Sequence, residues 1–431
     1  MSAAGPNEIL FVNFNQDYSS LAVGTRKGYR LYAVTSIEDF PKIHESEVAD
    51  VCMVERLFSS SLVTLVSQTA PRKLHVSHFQ KGTEICSHSY SNTLLSVHLN
   101  RLRVVVVLEE SIYVHNIRDM KVLHTIRDTP SNPLGLASLT PSDSSLLAYP
   151  GSATAGEVYI FDAQNLTGLA QISAHEGPLA ALRFSEDGSR LATASEKGTV
   201  IRVFSVPAAE RLFEFRRGVK RCVTIYSLAF SKDAQFLAST SNTETVHVFR
   251  LDDSQRSVED ESAKRNSVSS TEGKSWMDLV SSTAAQAASY LPSQMTEVFS
   301  QERSFATAHL PSPPGTRSVC AILTLKQAPR LLVATADGYF YIFNLDRTEG
   351  GELTLLKQHR FIGDEVGSPG AVGSSLGGGR AAEGSSYAAH ADPRGSKETL
   401  KKEVAETEER MSRGLKLSDS QEFPPMTHTA D

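Results

Sequence analysis

The sequence predicts an all-β chain whose main body is a seven-bladed β-propeller. Three observations carry that expectation. An apolar residue, a polar turn holding Asp and a second apolar run recur together. They appear as Phe14–Asp17 before Leu21, Leu139–Asp143 before Leu146, Phe184–Asp187 before Leu191 and Phe230–Asp233 before Phe236. An alternating strand closed by an aromatic recurs as GEVYIF ending at Phe161, GTVIRVF at Phe204, TETVHVF at Phe249 and GYFYIF at Phe343. The spacing is regular: Asp143 to Asp187 is 44 residues, Asp187 to Asp233 is 46, Phe161 to Phe204 is 43 and Phe204 to Phe249 is 45. Period-two alternation marks strands with one buried face, and a recurrence of about 40–45 residues marks propeller blades.

Laid along residues 8–361, this period starts seven units near Ile9, Val48, Leu94, Leu136, Leu179, Ile225 and Ser318. Phe249 to Phe343 is 94 residues, one blade plus roughly 50 more, which predicts an insertion over residues 252–303 inside the sixth unit. No unit buries both its faces alone, so the array has to close into a ring. The pattern is WD40-like without the Trp-Asp dipeptide: the matching positions hold Phe161-Asp162, Phe204-Ser205 and Phe343-Asn344. From about Gly363 the chain turns to GSPGAVGSSLGGGR, too poor in β-branched and aromatic residues to offset its chain entropy. Residues 362–431 are therefore expected to be a disordered tail. With 8 basic and 12 acidic residues, the tail also holds most of the charge imbalance.

Composition excludes several functions. The 431 residues carry 43 Lys plus Arg against 49 Asp plus Glu, a net of −6, which argues against a nucleic-acid partner. Cys52, Cys86, Cys222 and Cys320 are scattered, so neither a disulfide framework nor a zinc site is expected. No apolar run reaches spanning length, and MSAAGPNEIL lacks the basic and apolar regions of a secretory signal. The expectation is a cytoplasmic protein with peripheral membrane contact only. There is no HExxH or GxGxxG. Gly273-Lys274-Ser275 echoes the end of a P-loop, but Val268 stands where its first glycine belongs. The chain reads as a non-enzyme without cofactor or metal.

The chemistry concentrates after the fifth unit, in Phe215-Arg216-Arg217-Gly218. Successive side chains of an extended strand point to opposite sides, so the two arginines aim at different neighbourhoods, one toward blade five and one toward blade six. Gly218 permits a tight exit where a side chain would crowd a ligand. A guanidinium is a permanent cation whose planar fork suits phosphate. The spacing alone supports two anionic sites side by side on one rim.

This tetrapeptide resembles the hallmark of the PROPPIN family, seven-bladed propellers that bind phosphoinositides. The resemblance covers residues 8–361 and is reinforced by ERLFSSSLV, SYSNTLLSV, EESIYVHNIRDMKVLHTI, AYPGS, ATASEKGTVIRVFSVP and SNTETVHVF. These runs look like the branch of WD-repeat phosphoinositide-interacting proteins that acts in autophagy. The resemblance implies a first pocket of Arg216 with His175, Thr193, Ser195, Gly198, Thr199 and Arg202. It implies a second pocket of Arg217 with Ser241, Thr245 and His247. The implied ligands are phosphatidylinositol 3-phosphate and the 3,5-bisphosphate. The implied partners are autophagy proteins: the coiled-coil subunit of the ubiquitin-like conjugation complex and a lipid-transfer protein. The implied places are phagophore, preautophagosomal and endosomal membranes. Hydroxyls, histidines and arginines suit phosphate chemically in any case. A lipid-independent interaction scaffold is the alternative.

Two further features read as contact elements. In Ser275–Leu291, placed at 100° per residue, Trp276, Met277, Val280, Ala284, Ala287, Ala288 and Leu291 share an arc of roughly 120° opposite a serine-rich face. That pattern resembles interfacial helices, with Trp276, Met277, Val280 and Leu291 as the inserting residues. A basic cluster in the third unit includes Arg101 and Arg118, which the family resemblance marks as candidates for the coiled-coil partner.

Overall fold

The computed structural model describes residues 8–217, 222–252 and 304–362. Each period of the sequence becomes one antiparallel sheet of consecutive strands. Blade one is β1 (Ile9–Phe14), β2 (Ser20–Thr25), β3 (Tyr29–Ala33) and β4 (Lys42–Ser46). Blade two is β5 (Val51–Arg56), β6 (Leu62–Ser67), β7 (Lys73–His78) and β8 (Thr83–Ser89). Blade three is β9 (Ser96–Leu99), β10 (Arg103–Val107), β11 (Ser111–Asn116) and β12 (Val122–Arg127). Blade four is β13 (Ser138–Leu139), β14 (Leu146–Pro150), β15 (Gly156–Asp162) and β16 (Thr167–His175). Blade five is β17 (Leu179–Phe184), β18 (Arg190–Ser195), β19 (Val200–Ser205) and β20 (Arg211–Arg216). Blade six is β21 (Ile225–Phe230), β22 (Phe236–Ser241), β23 (Thr245–Arg250) and β24 (Ala306–His309). Blade seven is β25 (Ser318–Leu325), β26 (Ala328–Thr335), β27 (Tyr339–Asn344) and β29 (Leu355–Arg360). The short β28 (Gly351–Glu352) leaves blade seven and pairs in parallel with β24, giving blade six a fifth strand.

The seven-blade expectation holds. Four of the predicted starts, Ile9, Leu179, Ile225 and Ser318, open their first strands. The other three strands open two or three residues late, at Val51, Ser96 and Ser138. The four aromatic-ended runs are the third strands β15, β19, β23 and β27. The Asp motif is the first hairpin of the blade. Asp17 caps Ser19, Asp187 caps Ser189 and Asp233 caps Gln235, each accepting from that residue's backbone N–H.

Alternation sorts side chains between seams. In blade five, Leu191 and Phe204 pack on blade four with Val158, Ile160 and Ile172. Ala192, Ala194, Ile201, Val203, Phe213 and Phe215 pack instead on blade six with Phe230, Leu237 and Phe249. Phe215 stacks on Phe249 with centroids 4.7 Å apart. First strands contact first strands around the ring, and β25 returns to β1.

Among the described residues no strand is exchanged between blades seven and one, so that seam closes by packing. Phe340 stacks on Phe40 at 4.5 Å, and Phe40 stacks on Tyr32 at 4.8 Å. Tyr32 donates its hydroxyl to the Phe361 carbonyl at 2.8 Å, and Lys326 meets Glu38 at 2.6 Å. Across the centre, Arg183 of β17 donates to the Tyr18 hydroxyl of blade one at 3.1 Å. The expected insertion helix, with Trp276, Met277, Val280 and Leu291, and the expected tail lie outside the described residues.

Candidate anion-binding site

Arg216 ends β20, and its place on that strand decides which seam it serves. Phe213 and Phe215 face blade six, so Glu214 and Arg216 share the opposite side, toward blade four. On that side, register aligns Thr193, Arg202 and Glu214 in one row across β18, β19 and β20. The next row pairs Val200 with Arg216. Thr193 and Ser195 are buried, and His175, at the end of β16 in blade four, hydrogen-bonds Thr193 Oγ1 at 2.9 Å. The residues expected for the first pocket therefore line a seam between blades four and five, His175 coming from blade four.

Arg202 is fixed from two directions. Its Nε donates to Glu214 at 2.8 Å and its Nη1 to the Ala174 carbonyl at 2.6 Å. Arg211 also donates to Glu214, at 2.9 Å. Blade one repeats this triad: Arg30 meets Glu45 at 2.6 Å and Lys42 meets the same carboxylate. Two residues beyond Glu45 stands Glu47, whereas two beyond Glu214 stands Arg216. The triad is thus a blade scaffold, and Arg216 is what distinguishes blade five.

Arg217 turns the other way. Its Nη2 donates to Ser241 Oγ at 2.5 Å, to Thr243 Oγ1 and to the Thr245 carbonyl at 3.4 Å, all in blade six. Its partners are neutral, and burial brings its pKa down to about 10. His247 lies two residues along β23 from Thr245, paired across to Ser239 on one side and Thr307 on the other. His309, paired with Thr245, completes the outer edge. Burial, helped by Arg217 and then His309, brings His247 down to about 4. Burial, helped by Arg202, does the same to His175.

The turn after β18 holds both arginines in place. Gly198 has φ +61°, and a Cβ there would stand 1.9 Å from the Val223 carbonyl oxygen, so only glycine fits. Arg217 N donates to the Thr199 carbonyl at 3.0 Å, and Val223 N to the Lys197 carbonyl at 3.2 Å. One turn therefore fastens the chain on both sides of residues 218–221, and Gly218 itself lies outside the described residues.

The unsatisfied atoms concentrate here. Arg216 Nε, Arg217 Nε, Ser239 Oγ and His247 Nδ1 are buried without a hydrogen-bond partner. Each such group costs about 1–3 kcal/mol unless something supplies the missing acceptor or donor. An oxyanion in each pocket would do so, because a phosphate offers several acceptor oxygens to guanidinium and imidazole.

All the residues predicted for the two phosphoinositide pockets that are described fall into one of these two seams. The sequence reading missed Thr243, Ser239, Glu214, Thr307 and His309. Thr243 had a visible signal in the Ser-x-Thr-x-Thr run from Ser241 to Thr245; the others emerge only from strand register. Arg101 and Arg118 lie elsewhere, exposed on adjacent hairpin turns of blade three that are joined by Ile117 N donating to the Leu102 carbonyl at 3.1 Å. The Arg101 guanidinium lies 4.0 Å over the Phe58 ring of blade two.

The chain is 56% identical over 362 residues to WD repeat domain phosphoinositide-interacting protein 2 of Gallus gallus, covering 84% of this chain and 80% of that protein. It is 42% identical over 440 residues to Autophagy-related protein 18 of Caenorhabditis elegans, covering 100% of this chain and 98% of that protein. Among solved structures, a complex of KlAtg21 with the coiled-coil of AgAtg16 matches with TM-score 0.63 and 25% identity, over 82% of this chain and 100% of that one. Kluyveromyces lactis Hsv2 matches with TM-score 0.63 and 21% identity, over 83% of this chain and 100% of that one, which shows the shared fold. With the PROPPIN family model matching residues 9–362, on a seven-bladed ring carrying the paired arginines, the chain belongs to the PROPPIN family.

Proposed function

We propose that this protein is a non-enzymatic phosphoinositide effector, binding phosphatidylinositol 3-phosphate and the 3,5-bisphosphate through the two seams and recruiting autophagy machinery to the membrane that carries them. The observation that carries the reading is the pair of adjacent arginines, each half-buried, each with an unpartnered Nε, serving different seams of one rim. Names of relatives that are phosphoinositide-interacting or autophagy-related point the same way.

The strand directions support one orientation at the membrane. Residues 253–303 leave after the Arg250 end of β23, the end away from Thr245 and Arg217. A six-residue strand spans roughly 20 Å. A bilayer touching both the pocket and the insertion would run along the outer edge of blade six, with the ring standing on its rim. Trp276, Met277, Val280 and Leu291 would supply the second membrane signal that stable peripheral binding needs. The Arg101 and Arg118 turns would remain free for a coiled-coil partner, the kind of partner that KlAtg21 has in its complex with the coiled-coil of AgAtg16. A lipid-transfer protein is a further partner on this reading, and phagophore and endosomal membranes are where the lipid would place it.

Flotation tests the reading. The full chain is expected to float with phosphatidylcholine vesicles containing phosphatidylinositol 3-phosphate and to sediment with phosphatidylcholine alone or with the 4-phosphate. Equal flotation on all three, or none, rejects lipid reading in favour of a scaffold.

A further inference from the structure

Blades five and six present the same three positions in the same register, and the residues at all three differ. Thr193 pairs with Arg202, which pairs with Glu214; Ser239 pairs with His247, which pairs with Thr307. Where the first pocket holds a carboxylate, the second holds a hydroxyl. His175 is already hydrogen-bonded to Thr193, whereas His247 Nδ1 is buried with no partner.

We infer that the pockets are not equivalent: the blade-six pocket, with Thr307 in place of a carboxylate and an unpartnered His247 nitrogen, takes up a proton as it binds phosphate. This rests on the reading of both seams as phosphate sites.

The charge balance supports the asymmetry. In the first pocket Glu214 accepts from Arg202 and Arg211, so much of the local positive charge is answered before a ligand arrives. In the second, Arg217 donates only to neutral oxygens. The charged or titratable groups acting on His247 are Arg217, from the edge of blade five, and His309, on β24; the neighbouring β22 contributes hydroxyls, Ser239 and Ser241. All of this pushes the empty His247 toward its neutral form. A phosphate between Arg217 and His247 reverses the local sign, and Nδ1 gains an acceptor by taking a proton. By linkage, a site that gains a proton on binding tightens as pH falls, by about tenfold per pH unit at most for one proton. Phosphate's own second ionisation near pH 6 acts on both pockets and cancels in the comparison.

The experiment is calorimetric titration of the full chain with soluble inositol 1,3-bisphosphate between pH 5.5 and 7.5, in buffers of different ionisation heat. Arg216→Thr leaves the second pocket and Arg217→Thr leaves the first. The Arg216→Thr protein is expected to take up close to one proton and to tighten severalfold more on acidification than Arg217→Thr. Adding Thr307→Glu or His247→Asn to Arg216→Thr should flatten its profile. Equal proton uptake by the two single variants overturns the inference and leaves the lipid reading standing. Loss of binding in the wild type overturns both.

Discussion

Replacing Arg216 and Arg217 together by threonine is expected to lower binding to vesicles carrying phosphatidylinositol 3-phosphate by at least 100-fold, with the thermal midpoint unchanged or slightly raised. The two halves of this result have separate causes. Binding falls because each pocket loses its permanent cation, and because two weak sites on one leaflet act at high effective concentration on each other. Removing either arginine alone therefore costs most of the apparent affinity. Stability does not fall because the guanidiniums are held against their own solvation: burial brings Arg217 well below the usual arginine range, and no acid answers it. Removing an incompletely compensated buried charge is neutral or stabilising. Flotation together with calorimetric melting checks both halves. A double variant that binds normally contradicts the site, and one that melts far lower shows the arginines to be structural.

The second large effect concerns the ring. Phe340→Ala is expected to cost about 3–5 kcal/mol, the range for removing a fully buried phenylalanine. Its ring sits between Phe14 and Phe40 at the only seam that joins the two ends of the described propeller, blades seven and one. With no strand shared there, packing carries the closure, helped by the Tyr32 hydroxyl on Phe361 and by Lys326 on Glu38. Hydrogen exchange should therefore accelerate first in β1–β4 and β25–β29. A loss under about 1 kcal/mol, or acceleration spread evenly over all blades, contradicts closure by this contact.

Blade number and most strand positions were legible because a propeller writes the same buried-face alternation every 43–46 residues, and the aromatic end of each third strand punctuates it. The extended backbone also made the divergence of Arg216 and Arg217 readable. Their destinations were not. Arg216 faces blade four because Phe213 and Phe215 commit the other side of β20 to Phe249, and that commitment exists only once blades are packed. Thr307 and His309 were hidden because about 60 residues separate them from His247, and only the pairing of β23 with β24 brings them to the pocket. Glu214 stood directly before the motif, yet its role needed the cross-strand register with Arg202.

The central claim is that two side chains on neighbouring residues serve two separate seams. Stoichiometry tests it most directly. Titration with soluble inositol 1,3-bisphosphate at neutral pH should give two headgroups per wild-type chain, one for Arg216→Thr, one for Arg217→Thr and none for the double variant. One headgroup on the wild type, lost equally in either single variant, would place both arginines on a shared ligand and contradict the account.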